Sequence, residues 1–436
     1  MQNPKPESLN PTSHPVYLAS AAVSSLIQTL PVGTAYFIGV VLIVMMTSRL
    51  VQSRGSLARA AFPFVFHLRW GWHRVHRALE RGKLSIDDLF DKAFDWCLTN
   101  LDAEPVRLGP GHREVIAVDS STIARWRAVK RLGLEGKGYY HRASRAIRAN
   151  IVAVASSVVI IHGKRVGLVR LARFAPSCEQ AVEKVFEDLP KTDDKRLIVV
   201  DAGIATKEQF ARSTDREALM GRMRINCKLR CAAPARTGRK GRPAEHGAVL
   251  HPGRTVPEVA ASEEIKIAGE KGEIVLRRWS DLHYEEYPET ILDVVRIDDP
   301  AYDRPLIIGT TARELSSEEF RIGYGHRSAV ETNFYVGQDS AATEMPRAWR
   351  EKAVERRIGL GLLAGMVLKA IAARCEPLAI GPWDRKPERS GGRLANHLDL
   401  NAMNFSALAL KGVEPRKYRK NESATNTKDL QHKPAA

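Results

Sequence analysis

Cysteine is scarce in this chain: five among 436 residues, at positions 97, 178, 227, 231 and 375. They form no even, regularly spaced framework, which removes the case for structural disulfides and fits a reducing compartment. Long apolar runs are lacking too. The run that comes nearest, VGTAYFIGVVLIVMM (32–46), is fifteen residues without a charge. A bilayer span takes about 20 residues, with about 17 a practical minimum, and Gly33, Thr34 and Gly39 dilute this run. No basic segment precedes it, so a secretory signal is not expected. The preferred reading is a buried helix of an N-terminal helical domain, with a membrane-associated protein as the alternative. A second run, IGLGLLAGMVL (358–368), stops at Lys369. Its glycines do not follow a strand, so no nucleotide-binding loop is read there.

Acidic residues are in deficit: 50 Asp and Glu against 67 Lys and Arg, a formal net charge of +17. An excess of this size points to a polyanionic partner, DNA or RNA first. A solvated basic surface serving solubility alone is the bland alternative. Hydrophobic content of 44% and charged content of 27% are those of a globular protein, and the length allows two or three domains.

Residues 1–14 are polar and proline-bearing and read as disordered. A helical domain over 15–110, with a basic-apolar stretch at 48–84, suits either DNA binding or a plain bundle. The pattern then switches to short runs rich in valine and isoleucine: REVIAVDSS (113–121), ANIVAVASSVVIIHG (149–163), RVGLVRLARF (165–174) and RLIVVDAG (196–203). These predict strands, with an amphipathic helix at SCEQAVEKVFEDL between the last two. Strands around a crossover helix predict an α/β fold with at least one parallel pair, its first part over 111–221. Residues 222–318 predict a basic, mostly β insertion, followed by a second part of the core over 319–376. A loop-rich basic tail, largely disordered, is expected over 377–436.

Two predicted strands end alike. Asp119 follows Val115–Val118, Asp201 follows Leu197–Val200, and small residues come next in both. One carboxylate at a strand end is a common turn residue; two call for a partner. GYGHRSAVETNFYVGQ (323–338) offers one. On a helix, Tyr324, Arg327, Glu331 and Gln338 fall within roughly 60° of one another. Interleaved apolar residues make that helix half-buried, so its polar stripe needs partners. Three converging carboxylates repel one another unless a cation lies between them. Hard oxygen donors suit Mg²⁺ or Mn²⁺, and two such ions activate a water or 3′-hydroxyl against a phosphodiester.

These residues resemble a family. Asp119 in AVDSST, Asp201 in VVDAG and Tyr324-x2-Arg327-x3-Glu331 look like the Asp-Asp-Glu transposases of bacterial insertion sequences. The branch is that with a tyrosine–arginine–glutamate–lysine third motif, insertion sequence family four and its relatives. The resemblance covers most of residues 45–375. It implies an RNase H-like mixed sheet core, an N-terminal helical domain and a β insertion before the glutamate helix. It implies that Asp119, Asp201 and Glu331 are catalytic and hold two Mg²⁺ or Mn²⁺ ions, and that Tyr324 and Arg327 hold the transposon end. The family's lysine is Gln338 here, which removes one phosphate-binding charge, although the glutamine can still donate hydrogen bonds to DNA. The change raises the alternative of a catalytically inactive DNA-binding relative. Partners implied are double-stranded DNA, as transposon ends and target, and a second copy on that DNA. A cytoplasmic, nucleoid-associated location goes with them.

Three further signals lie in the insertion. Cys227, Cys231, His246 and His251 have spacing near that of a zinc finger but lack a finger's apolar core. Arg239, Lys240 and Arg242, in RKGRP, resemble an AT-hook that lies in a narrow minor groove; a solvated loop is the alternative. With eight basic residues and no acidic one between 222 and 242, the stretch suggests a DNA contact. Trp279 packs in a core or, as in some relatives of that family, stacks on a displaced base.

Overall fold

The computed structural model describes residues 14–61, 73–124, 135–140, 143–234, 244–348 and 350–413. The chain begins with helices α1 (Pro15–Gln28), α2 (Val32–Met46), α3 (Arg49–Gln52), α4 (Leu57–Ala60), α5 (His73–Arg81) and α6 (Ile86–Asn100). The apolar run at 32–46 is all of α2, and thirteen of its fifteen residues are buried. A helix apolar on every side needs neighbours on every side, and α1, α5 and α11 (Glu351–Arg374) supply them. Among the described residues no helix is long and apolar enough to cross a membrane.

Strands follow: β1 (Glu104–Pro105), β2 (Arg107–Leu108), β3 (Arg113–Ala124), β4 (Glu135–Tyr140), β5 (Arg145–Ile161) and β6 (Lys164–Ala175). Then come α7 (Cys178–Asp188), β7 (Arg196–Val200), α8 (Lys207–Ala211) and β8 (Glu217–Arg222). The basic stretch continues through β9 (Leu229–Arg230), β10 (Val249–Leu250), β11 (Glu263–Gly269), β12 (Gly272–Tyr284), β13 (Tyr287–Asp298) and β14 (Leu306–Thr310). These strands join one mixed sheet in the order β1-β5-β3-β7-β8-β14-β13-β12-β9-β10, with β4 and β6 also on β5, β2 on β3 and β11 on β12. The pairs β3–β7 and β7–β8 are parallel; β5 is antiparallel to both β3 and β6. The fold is therefore mixed α/β, as the valine-rich runs around a helix predict.

Side chains alternate across the sheet. Ile116 and Val118 pack toward α7, while Val115 and Ala117 face the core shared with α10 (Ser328–Asp339), α11 and the N-terminal helices. The helical segment expected over 15–110 thus has no core of its own, since its apolar face is buried in the same cluster as the sheet. The strand-rich run 222–318 is likewise continuous with the sheet, because β14 pairs with β8 through Ile308 opposite Arg222.

The expected loop-rich tail is corrected between 391 and 409, which form α12 (Gly391–Leu400) and α13 (Ala402–Ala409). Leu394, Leu398 and Phe405 are fully buried there, and α13 lies against α1. Tertiary packing stabilises two short helices that local propensity leaves marginal. The readings of disorder at 1–13 and 414–436 lie outside the described residues.

Candidate active site

β3 and β7 run parallel with Val118 opposite Val200. Asp119 and Asp201 therefore each follow the last residue paired between these two strands, which lie about 4.8 Å apart. The strand end expected at Asp119 is corrected, since β3 runs on to Ala124 and Asp119 pairs there with Val154 of β5. The two-residue period puts them in phase with Ala117 and Val199, which face the α10 side of the sheet.

Above this edge, the single helical stripe expected for Tyr324, Arg327, Glu331 and Gln338 is broken into two helices. Helix α9 (Ser317–Gly325) ends just before Arg327, which caps α10. At the junction the amides of His326, Arg327, Ala329 and Val330 each bond to the carbonyl three residues back, a tighter 3₁₀ pattern than an α-helix. The shared face survives the break. Tyr324 Oη lies 3.5 Å from Asp201 Oδ1. Arg327 Nη1 lies 3.4 Å from Asp119 Oδ2 and 2.7 Å from Glu331 Oε1. Gln338 Nε2 lies 3.4 Å from Ser121 Oγ.

Asn333 holds α10 at this height. Its side chain is fully buried, and Nδ2 donates to Gly167 O at 2.9 Å and Ser156 Oγ at 3.2 Å. Helix and strand touch here: a Cβ at Gly167 would come within 2.7 Å of Ala329 O. Glu331 is thereby left half-exposed above the end of β7 and the middle of β3.

Asp119, Asp201, Arg327 and Glu331 line one cavity of about 800 Å³. Burial pushes the Asp119 carboxyl up from 3.8 to about 6, against the lowering effect of the Ser120 amide and Arg327 and with further upward push from Asp201 and Glu331. The Ser120 N–H donates to Oδ1 at 2.7 Å. Burial also disfavours the Arg327 charge, but Tyr324 and the three carboxylates outweigh it and hold the guanidinium protonated. Among the described residues, no three His, Cys, Asp or Glu side chains are gathered as a metal site. The cation between Asp119 and Glu331 is Arg327.

An Asp with a raised folded-state value binds its proton more tightly folded than unfolded. Its stabilising contribution is complete below pH about 4 and lost as pH rises through about 6. Asp119→Asn is therefore expected to stabilise the metal-free protein by roughly 1–3 kcal/mol at pH 7 and by little at pH 4. Urea unfolding at the two pH values checks this; an equal effect at both would rule out the charge as its source.

The other sequence-predicted residues divide. Arg239, Lys240 and Arg242 lie outside the described residues. The zinc-like set is dispersed: His246 Nδ1 meets His283 Nε2 at 3.0 Å, His251 pairs with Glu258, and Cys227 packs in a small core beside Trp279. Trp279 is 3% exposed and its indole N–H donates to Val259 O at 2.9 Å, so it serves the core. A second cavity, of about 490 Å³, adjoins the first through Ser120 and Glu331 and is walled by Tyr139, Tyr140, Tyr335 and Glu344. Sequence reasoning took Tyr335 only as one of the interleaved apolar residues, although it is exposed, and passed over the other three. Only the adjacent Tyr139–Tyr140 pair could have drawn attention. No family model matches the chain, and no curated protein matches it either.

Proposed function

We propose that the chain is a metal-dependent DNA nuclease and strand-transferase of the transposase kind. The observation that carries this reading is that Asp119, within β3, and Asp201, just past the end of the parallel neighbour β7, line one cavity with Glu331, with the Arg327 guanidinium between Asp119 and Glu331. The strand order β6-β5-β3-β7-β8, with its two parallel pairs on β7, supports an RNase H-like core. The formal charge of +17 supports a duplex partner.

Carboxylate oxygens are the donors that hard cations take, and Asp119, Asp201 and Glu331 line one cavity. They are not gathered as a metal site while Arg327 lies between two of them. Asp119, Asp201 and Glu331 would hold the ions. Bound there, a pair of divalent ions supplies Lewis-acid activation of a water or 3′-hydroxyl and of the leaving oxygen. The chain's own groups do the rest. Arg327, released from Asp119 and Glu331 if ions took its place, would reach a backbone phosphate with charge-assisted bonds from its fork. Asp119 would serve as a ligand in its deprotonated form, and the Ser120 amide fixes the orientation of its carboxylate. Tyr324 steadies Asp201. A second copy on paired DNA ends and a nucleoid-associated location belong to this reading.

Purified protein is expected to nick or cut DNA carrying its cognate inverted repeats in Mg²⁺ or Mn²⁺. No cut product with either ion would overturn the reading. At limiting Mg²⁺, cleavage is expected to fall by up to about tenfold per pH unit below pH about 6, because protonated Asp119 is lost as a ligand. A pH–rate profile flat from 5 to 8 would remove Asp119 from that role.

Gln338, standing where the resembled family has lysine, favours a second reading as a catalytically silent DNA binder. Tight end-binding without cleavage in either metal would select it, and Gln338→Lys would then strengthen binding without creating turnover.

A further inference from the structure

Between α11 and α12 the chain makes a loop, 378–388, whose foot is closed by two backbone hydrogen bonds between Leu378 and Glu388, at 3.0 and 3.2 Å. Asp384 is its hub. Oδ2 accepts from the Ile380 amide and Oδ1 from the Lys386 amide, at 3.0 Å each, and Arg393 bonds both Asp384 and Leu378 O. Pro382 and Pro387 fix two further backbone angles. A loop held at this many points loses little conformational freedom when something binds it.

This rigid loop presents a large apolar tip. Trp383 is 79% exposed and Ile380 64%. A Cβ on Gly381 would lie 3.0 Å from the Trp383 ring, so the indole rests on Gly381 and turns its other side outward. The charges around it are separated. Asp384 is turned into the loop, while Glu388 and Glu376 lie near the foot, each 3.8 Å from an arginine, Arg393 and Arg389. Arg385 and Lys386 are exposed beside the indole, and among the described residues no ion pair joins either to an acid.

An apolar ring next to two free cations suits a polyanion with apolar surface between its charges. Duplex DNA has that form, and minor-groove binders insert an apolar side chain between base steps while Lys or Arg meets the backbone. A second copy of the chain fits less well, since it would bring a further +17 toward Arg385 and Lys386. The loop is also continuous with the candidate site. Ile380 shares a cavity of about 670 Å³ with Tyr335 and Asp339 at the end of α10. Glu331 and Asp339 are about 12 Å apart along that helix, so a duplex lying along α10 from Glu331 meets the loop within one turn, about 34 Å.

We propose that the 378–388 loop is a docking finger for duplex DNA, with Trp383 wedged in the minor groove and Arg385 and Lys386 on the phosphates beside it. The alignment with Glu331 rests on the nuclease reading, but the test needs no cleavage.

Full-length protein in EDTA is titrated into a mixed-sequence duplex over a range of salt concentrations. Trp383→Ala is expected to weaken binding roughly tenfold with the salt slope unchanged, and Trp383→Phe to recover most of it. Arg385→Ala with Lys386→Ala is expected to lower the slope by about two, one per phosphate contact. All three side chains are exposed, so unfolding temperatures stay unchanged. Wild-type affinity in Trp383→Ala, or a wild-type slope in the double variant, would overturn the finger. So would a DNA-free dimer that Trp383→Ala converts to monomer in sedimentation, which would assign the loop to a second copy. Cleavage of end DNA with wild-type binding in these variants would leave the nuclease standing and remove the finger; the binding effects without cleavage would do the reverse.

Discussion

Asp119→Ala, Asp201→Ala and Glu331→Ala are each expected to cut metal-dependent DNA cleavage by about a thousandfold or more, while binding to the same duplex stays within a fewfold of wild type. The size follows from what a lost ligand removes. Metal ions at a phosphodiester supply several kcal/mol of charge stabilisation, and about 4 kcal/mol is a factor of roughly a thousand. Binding is spared because its electrostatic part comes from basic residues spread over a chain of net charge +17, and removing a carboxylate near phosphates relieves repulsion. The measurement is single-turnover cleavage beside a gel-shift titration across salt concentrations. Wild-type cleavage in all three variants would end the transposase reading. Loss of binding in step with cleavage would point to misfolding, and unfolding curves distinguish the two.

Arg327→Ala separates two roles that the geometry gives one side chain. If Arg327 only balanced Asp119 and Glu331, its loss would be compensated by saturating Mg²⁺. If it also holds a phosphate, cleavage stays low at any metal concentration and the salt slope of binding shrinks by about one.

Much of this site is legible in the sequence because it rests on local rules. A parallel strand buried on both faces reads as an unbroken apolar run, so Val115–Val118 and Leu197–Val200 marked both strands, and the aspartates after them marked the shared edge. What escaped depends on distant contacts. The pairing of β14 with β8 joins Ile308 to Arg222, and no local signal encodes it. Strand β4 contains Gly136 and Gly138, residues that argue against a strand. Close approach requires them: a Cβ on Gly136 would fall 1.6 Å from Pro176 O, and one on Gly138 would fall 2.6 Å from Thr122 Oγ1. Those glycines let β4 in close enough for Tyr139 to line the second cavity. The break between α9 and α10 was hidden for a different reason, since its backbone stays in the right-handed helical region at His326 and Arg327 and only the bonding step shortens.

Arg278→Met is expected to destabilise the protein by about 2–3 kcal/mol, below the range for a buried charge left wholly unpaired, because Arg313 stays 3.4 Å from the same carboxylate. Asp293 is 2% exposed. Arg278 Nε donates to its Oδ2 at 3.1 Å, and the guanidinium also donates to Leu315 O and Arg313 O, at 2.7 Å each. These bonds tie β12 and β13 to the segment that leads into α9, so the substitution leaves the buried carboxylate with only Arg313 at 3.4 Å and the Asp281 amide at 3.1 Å and frees two carbonyls together. Arg278→Met with Asp293→Leu is expected to recover part of the loss, because no charge is then left unpaired. Urea unfolding reads both effects and a third. With β14 hydrogen-bonded to β8, the strands of 222–318 should unfold with the sheet in one transition. A separate early transition in Arg278→Met, with the main midpoint unmoved, would mean that the insertion is an independent unit and that its strands do not hold the glutamate helix in place.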